Sequence, residues 1–511
     1  MLKTAMIFGD RMVLQREKPI SIWGTSDPAA CVEIGFDGNQ VTAAAGPDGR
    51  WTMQLPPHPA ARDLTMVIRS GGEELVLRDI AVGEVWIAGG QSNMEYYLGF
   101  EKHYEEVAAS FESTDVRFFD YPETAFEEEL SIRNYEHEGF WRNSTREDLA
   151  YFSAVAFYFA RSLQNEIRVP VGIVGCNWAG TTASAWLDPK RLEGTPGEVW
   201  LEDYRKVAGF ADRSSILEKY LANPLTDTSN RLADPYNIRS MKIGFSPEQQ
   251  AEEMRKFEAA GDPSCFVHTG RPGGLYNAML KKVAPYTARG VIWYQGESDG
   301  DFHPEAYRDV LTQLIRCWRD LWGEALPFLL VQLAPFDKWM QCVGDNYGIV
   351  RDCQEEVSRT VPGTWITTTG DVGMQWDIHP KNKLPIGERL ALLALGHVYG
   401  MDILCDPPAA QSIRVEGDCV IITFRNANGL HIKGGHLHAL QLELENGEVV
   451  DTPDAAVEGS ELIVSLAGLA GAAPEHRISA VRFARENYYE VNLYNAADIP
   501  ALPFRMAVTY T

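Results

Sequence analysis

A chain of 511 residues is longer than one hydrophobic core organises, so two or three domains are expected. With 45% apolar and 11% aromatic residues, core material is ample and extended disorder is excluded. Acidic side chains number 71 against 46 basic ones, a net charge of −25 that argues against nucleic-acid or anionic membrane partners.

In chain order, residues 1–82 read as short strands separated by turn signals: ISIWGTS, CVEIGF and QVTAAA around Asp37-Gly38-Asn39, RWTMQLP after Asp48-Gly49, then LTMVIRS and ELVLRDI around Gly71-Gly72. This spacing predicts an N-terminal β-sandwich domain. Over residues 83–403 the apolar runs VWIAG, VRFF, VGIVG, VIWY, FLLVQL and WITTT alternate with amphipathic stretches such as DLAYFSAVAFYFARSLQNEI and PEAYRDVLTQLIRCWRDLWG. That rhythm predicts an α/β domain, a mostly parallel sheet wrapped by helices. Residues 188–272 interrupt it with charged helical sequence, including SSILEKYLANPL and SPEQQAEEMRKFEAAG, read as an insertion beside the active-site edge. From residue 404 to 511 the β rhythm returns in CVIITFR, ALQLELENGEVV, ELIVSLAG and AVRFARE, predicting a C-terminal β-sandwich-like domain.

The N-terminal stretch MLKTAMIFGDRMVLQREKPI is broken by charge before it reaches the length of a signal-peptide core, so a cytoplasmic location is expected. Cys31, Cys176, Cys265, Cys317, Cys342, Cys353, Cys405 and Cys419 form no CxxC pair and read as reduced, mostly buried thiols. No metal and no cofactor is expected. His431, His436 and His438, near Gly434-Gly435, read as exposed turn residues.

The chemistry begins in GEVWIAGGQSNM, where an apolar strand runs into Gly89-Gly90-Gln91-Ser92 and a helix expected near Met94. A serine at such a strand-to-helix turn is exposed at a sheet edge beside free N–H groups; the ordinary alternative is an N-cap serine. A serine nucleophile needs a base. Of eleven histidines, His379 has the context, in GDVGMQWDIHPKNKLPIGERLA, with Asp377 two residues before it on a loop. Two further strand ends offer oxyanion donors, the Gly180 N–H in VGIVGCNWAGTTASAW and the Gln295 amide in GVIWYQGESDG; alone, each reads as a βα turn or a polar strand cap.

The blocks GEVWIAGGQSNM, NWAGTTASAWL, LYNAML, GVIWYQGESD and DIHPKNKLPIGERLAL, with FGDRMVLQREKPISIWG near the start and VRFARENYYEVNLYNAADIPALPF near the end, resemble the sialate O-acetylesterase family and related carbohydrate acetylesterases of the SGNH-hydrolase superfamily. The resemblance implies a flavodoxin-like parallel sheet, an O-acetylated sugar as substrate, Ser92 as nucleophile, His379 as base, and the Ser92 and Gly180 N–H groups with Gln295 as oxyanion donors. The superfamily often spaces its acid three residues before the histidine, which leaves Asp371, Glu297 or a main-chain carbonyl as alternatives to Asp377. Ala179 stands where many relatives have glycine, so which N–H of that loop faces the oxyanion is open. Trp178, Trp186, Tyr294 and Trp376 are candidate sugar-facing rings, with Glu297 a candidate polar contact. The rival readings are an acetylesterase for plant xylo- or manno-oligosaccharides and, from another class, a non-catalytic carbohydrate-binding protein. Absence of a Walker loop weakens a phosphate-handling reading. Oligomeric state is left unassigned.

Overall fold

Every second side chain of the strand Arg50–Leu55, namely Trp51, Met53 and Leu55, is buried, as a half-covered sheet demands. The strands Val171–Asn177 and Gly290–Tyr294 are instead buried at every position, the pattern of a parallel sheet covered on both faces. The computed structural model, which describes residues 1–208, 214–215, 218, 231–260, 267–451, 454–466 and 477–508, assembles these strands into a mixed α/β molecule.

The central sheet runs in the order Trp141–Ser144, Ser113–Asp120, Val171–Asn177, Glu73–Gly90, Gly290–Tyr294, Phe328–Val331, Thr364–Thr367. All neighbours are parallel except the first pair. Helices Ala154–Ile167 and Leu384–Leu393 pack against each other, and a Cβ on Gly387 would lie 2.5 Å from Tyr158 Cβ and 2.7 Å from the Val155 carbonyl oxygen. Only glycine permits that crossing. The helix Tyr307–Trp322 buries Val310, Leu311, Leu314, Ile315 and Trp318 along one stripe.

The two short runs expected as separate strands, ELVLRDI and VWIAG, are one strand of 18 residues, Glu73–Gly90. Ala81, Val82 and Gly83 between them are buried, so no turn interrupts the pairing. Its first half pairs with Ala61–Ser70 and with Val13–Gln15, its second half with the central sheet. The boundary read at residues 82 and 83 therefore falls inside a strand, and Ile20, Ile34 and Met66 share a core with Trp86 and Ile87. Beyond residue 404, two four-stranded antiparallel sheets bury a separate core, with Val420, Ile422 and Leu462 of one facing Leu442, Val481 and Phe483 of the other.

Within residues 188–272 the described part is helical, with Glu198–Ala208 and Pro247–Ala260; most of the SSILEKYLANPL segment lies outside the described residues. This region touches the His379 loop directly. Gln250 Nε2 donates to the Trp376 carbonyl at 2.8 Å, and Lys381 Nζ to the Ser240 carbonyl at 3.2 Å.

Candidate active site

Strand register puts three of the sequence-derived residues at one edge. Asn177 and Tyr294 both stand opposite Gly90, so Ser92, Gly180 and Gln295 all follow the carboxyl ends of adjacent parallel strands, where α/β folds hold their ligands. Gly90 is obligatory here: its φ is +145°, and a Cβ would lie 2.1 Å from the Tyr294 carbonyl oxygen.

The helix expected near Met94 begins two residues earlier and is short, Ser92–Glu95. Gln91 occupies the N-cap position, which disposes of the capping explanation for Ser92. The hydroxyl of Ser92 instead faces His379, Nε2 to Oγ at 3.0 Å. His379 is buried in the loop after Thr364–Thr367. Behind it, Asp377 Oδ1 accepts the His379 backbone N–H at 2.8 Å and lies 3.4 Å from Nδ1, near enough for charge to act although the two do not form a hydrogen bond. The other carboxylate oxygen is 2.8 Å from Lys381 Nζ. Of the alternative acids, Asp371 is held bidentately by Arg389 at 2.8 and 2.6 Å, and Glu297 accepts from the Asn93 amide. Asp377 is the acid beside the imidazole.

Burial pushes the His379 pKa below the ordinary 6.5; Asp377 opposes that shift, while Lys381 and Lys383 reinforce it. The imidazole is therefore neutral at neutral pH and able to accept a proton. Burial alone would raise Asp377, but His379 and Lys381 outweigh it and hold the carboxyl below its usual range. The ring of His379 is walled by Trp339, edge-on at 5.0 Å, and by Tyr96 at 6.4 Å.

On the oxyanion side the N–H groups sort themselves. Trp178 N–H bonds the Gly90 carbonyl at 3.1 Å and Ala179 N–H bonds Glu95 Oε2 at 2.6 Å. Gly180, with φ +68° and open space where a Cβ would stand, keeps its N–H unbonded among the described residues, as does Ser92. Gln295 departs from the sequence reading. Its amide nitrogen lies 2.6 Å from Asp299 Oδ2, 3.1 Å from the Thr181 carbonyl and 3.2 Å from Gln91 Oε1. With two amide protons so committed, the side chain ties three strand-end loops together and has none left for a substrate oxygen.

The proposed sugar-facing rings are corrected as well. Trp186 and Tyr294 are wholly buried, because Trp186 donates its indole N–H to Thr181 Oγ1 at 3.0 Å and Tyr294 ends a covered strand. Trp178 is buried with the Arg133 guanidinium 5.9 Å over its ring. Glu297 is buried too, its carboxylate accepting from the Asn93 amide. Trp376, 47% exposed, presents an open ring.

Sequence reasoning missed the residues that lock this site. Asn93 donates to the Ile378 carbonyl at 3.1 Å and to Glu297, and accepts from Lys383, joining the Ser92 helix to the His379 loop. Burial, reinforced by the Lys381 charge and opposed by Glu297, brings Lys383 down to about 7. Glu95 is paired with Arg231, which also grips Glu123. The signal for Asn93 was in plain view, one position after the serine.

Known carbohydrate esterases resemble this chain in sequence and fold. Residues 257–394 match the family model described as a carbohydrate esterase, sialic acid-specific acetylesterase; the match covers Gln295, Asp377 and His379 but not Ser92. Sialate O-acetylesterase of Rattus norvegicus is 26% identical over 76% of this chain and 72% of its own length. The Homo sapiens protein is 24% identical over 78% and 71%. A carbohydrate acetylesterase from Xanthomonas citri superposes over 99% of both chains, with a TM-score of 0.74 and 27% identity.

Proposed function

The chain is a carboxylic ester hydrolase similar to the sialate O-acetylesterases, and from that premise we propose that it is an SGNH-type serine esterase removing O-acetyl groups from a sugar through an acetyl-serine intermediate. The observation that carries this reading is the line from Asp377 through His379 to Ser92, with Nε2 3.0 Å from Oγ.

Nε2 of His379 takes the Ser92 proton as Oγ attacks the acetyl carbonyl, and the carbonyl oxygen becomes an oxyanion held by the Ser92 and Gly180 N–H groups. The imidazolium, steadied by Asp377, returns the proton to the departing sugar oxygen. Water then loses a proton to the same nitrogen and attacks the acetyl-serine; as the C–Oγ bond breaks, His379 returns that proton to Ser92 Oγ and acetate leaves. Trp376 offers a face to the sugar ring, and the Gln250 contact to its carbonyl makes the insertion part of the substrate rim. The work site proposed is the cytoplasm, on short oligosaccharides or free sugars; recovery of the native protein outside the cytoplasm in a cell fractionation would remove that part.

The test is acetate release by wild type and Ser92→Ala from O-acetylated sialic acid, acetylated xylo- and manno-oligosaccharides, and a chromogenic acetate. Wild-type release with loss of at least about 10³-fold in the variant is expected, and the preferred glycan names the substrate class. Equal release by both proteins would remove Ser92 from the mechanism. Glycan binding without release by either would replace the esterase by a binding protein.

A further inference from the structure

Helix Leu384–Leu393 passes into a π turn at Ala394–Val398, and His397 on that turn meets Cys405 and Asp406 of the connector leading to the strand Ala409–Glu416. Three donor atoms converge there. Nε2 of His397 lies 3.0 Å from Asp406 Oδ2 and 3.5 Å from Cys405 Sγ, and Sγ lies 3.9 Å from Oδ2. A triangle with these sides has a point about 2.0 Å from every corner, and zinc takes nitrogen and oxygen ligands at about 2.0–2.2 Å and sulfur at about 2.3 Å. A cation displaced slightly from the plane, away from sulfur, meets all three lengths.

We propose that His397, Cys405 and Asp406 form a binding site for a divalent cation of the zinc class. Ligand chemistry selects the class: a thiolate with an imidazole disfavours calcium and magnesium, which take oxygen donors, and suits zinc. One thiolate and one carboxylate balance the charge of a divalent ion. Side chains of His397 and Asp406 are 25% and 30% exposed, so solvent reaches the remaining coordination position and water completes a tetrahedron. The surroundings are built to match. A Cβ on Gly396 would stand 2.5 Å from Cys405 Sγ, so glycine makes the room in which the thiol sits. The Trp365 ring stacks on His397 at 4.7 Å and 12°, fixing the imidazole plane. Among the described residues this is the one group of three His, Cys, Asp or Glu side chains whose ligand atoms all fall within 4.8 Å of one another.

Its place gives it a task. The ion would fasten the connector to the helix that follows the His379 loop, at the junction between the α/β body and the C-terminal sheets, without touching substrate. Sequence reading passed over it because His397 and the Cys405-Asp406 pair follow no metal-ligand spacing.

The test uses the full chain freed of metal by a chelator and titrated with cobalt(II) chloride. Wild type takes up one equivalent with a near-ultraviolet thiolate-to-cobalt band, zinc chloride displaces it, and zinc raises the melting temperature. Cys405→Ser loses the band and the zinc-dependent rise, Asp406→Asn binds at least about tenfold more weakly, and both release acetate like wild type. Should Cys405→Ser fail to fold, the wild-type titration and Asp406→Asn decide. No cobalt uptake by wild type, or an undiminished band in Cys405→Ser, or unchanged affinity in Asp406→Asn, overturns the proposal.

Discussion

Burial and three charged groups on one short loop set the protonation of the base: burial, Lys381 and Lys383 lower the His379 pKa, and Asp377 raises it. A base must be neutral to accept a proton, so kcat/KM on a chromogenic acetate is expected to be flat from neutral pH downward and to fall only with a half-point below 6.5. A half-point at or above 7 would show a stabilised imidazolium and contradict this balance. Asp377→Asn removes the one raising group, so the half-point moves further down while turnover falls by about 10⁴-fold through loss of imidazole orientation. Gln295 is tested by Gln295→Leu. Because its amide satisfies Asp299 and the Thr181 carbonyl, the variant is expected to lose about 1–3 kcal/mol of stability per orphaned group, read as a drop in melting temperature. A kcat loss of about 10²–10³-fold with unchanged melting would return the amide to the oxyanion hole. Ser92, Asp377 and His379 were legible because each stands in a short motif at a strand end. The fate of the Gln295 amide was not, since the bond to Thr181 spans 114 residues and only the folded sheet edge brings the two together.

At the scale of elements, the loop carrying Gly180 is fixed by charge as well as by register. Glu95, on the Ser92 helix, holds the Ala179 N–H and is itself held by Arg231, which also bonds Glu123 Oε1 at 3.0 Å. Burial and the Glu123 charge push both Glu95 and Glu138 up to about 8. Folded-state values above the unfolded ones mean that the stability these carboxyls contribute is complete below about 4.5 and is lost as pH climbs through about 8. Arg231→Met leaves the ionised carboxylates without their cation, at a cost of about 3–5 kcal/mol. Melting scans at pH 6 and pH 9 are expected to show the gap from wild type widening at the higher pH; an equal gap at both would place the role of Arg231 in packing. None of this was readable along the chain, because the partners come from four separate segments. Strands were readable, since alternation and fully apolar runs report burial directly. Their joining into Glu73–Gly90 was not, because ELVLRDI and VWIAG were read as two runs separated at Ala81–Glu84.

For the whole molecule, the C-terminal sheets do more than append a second core. Val491 N–H donates to the Gly370 carbonyl at 3.0 Å, and Tyr494 donates its hydroxyl to Asp371 Oδ2 at 3.0 Å. Gly370 and Asp371 open the loop that carries Asp377 and His379, so the unit beyond residue 404 braces the base from behind. The returning strand rhythm announced that unit, but its attachment was illegible: Tyr494 and Asp371 are 123 residues apart, and no local pattern pairs them. Tyr494→Phe removes one hydroxyl while Arg389 continues to hold Asp371, so the fold should survive. A bond of this kind contributes about 0.5–1.5 kcal/mol. If it is used to hold the loop, kcat for acetate release falls by about 2–10-fold with KM unchanged, and amide hydrogens of residues 370–380 exchange faster than in wild type. If exchange is unaltered and kcat is intact, the C-terminal sheets do not steady the catalytic loop through this bond. If KM alone rises, the same surface contacts substrate.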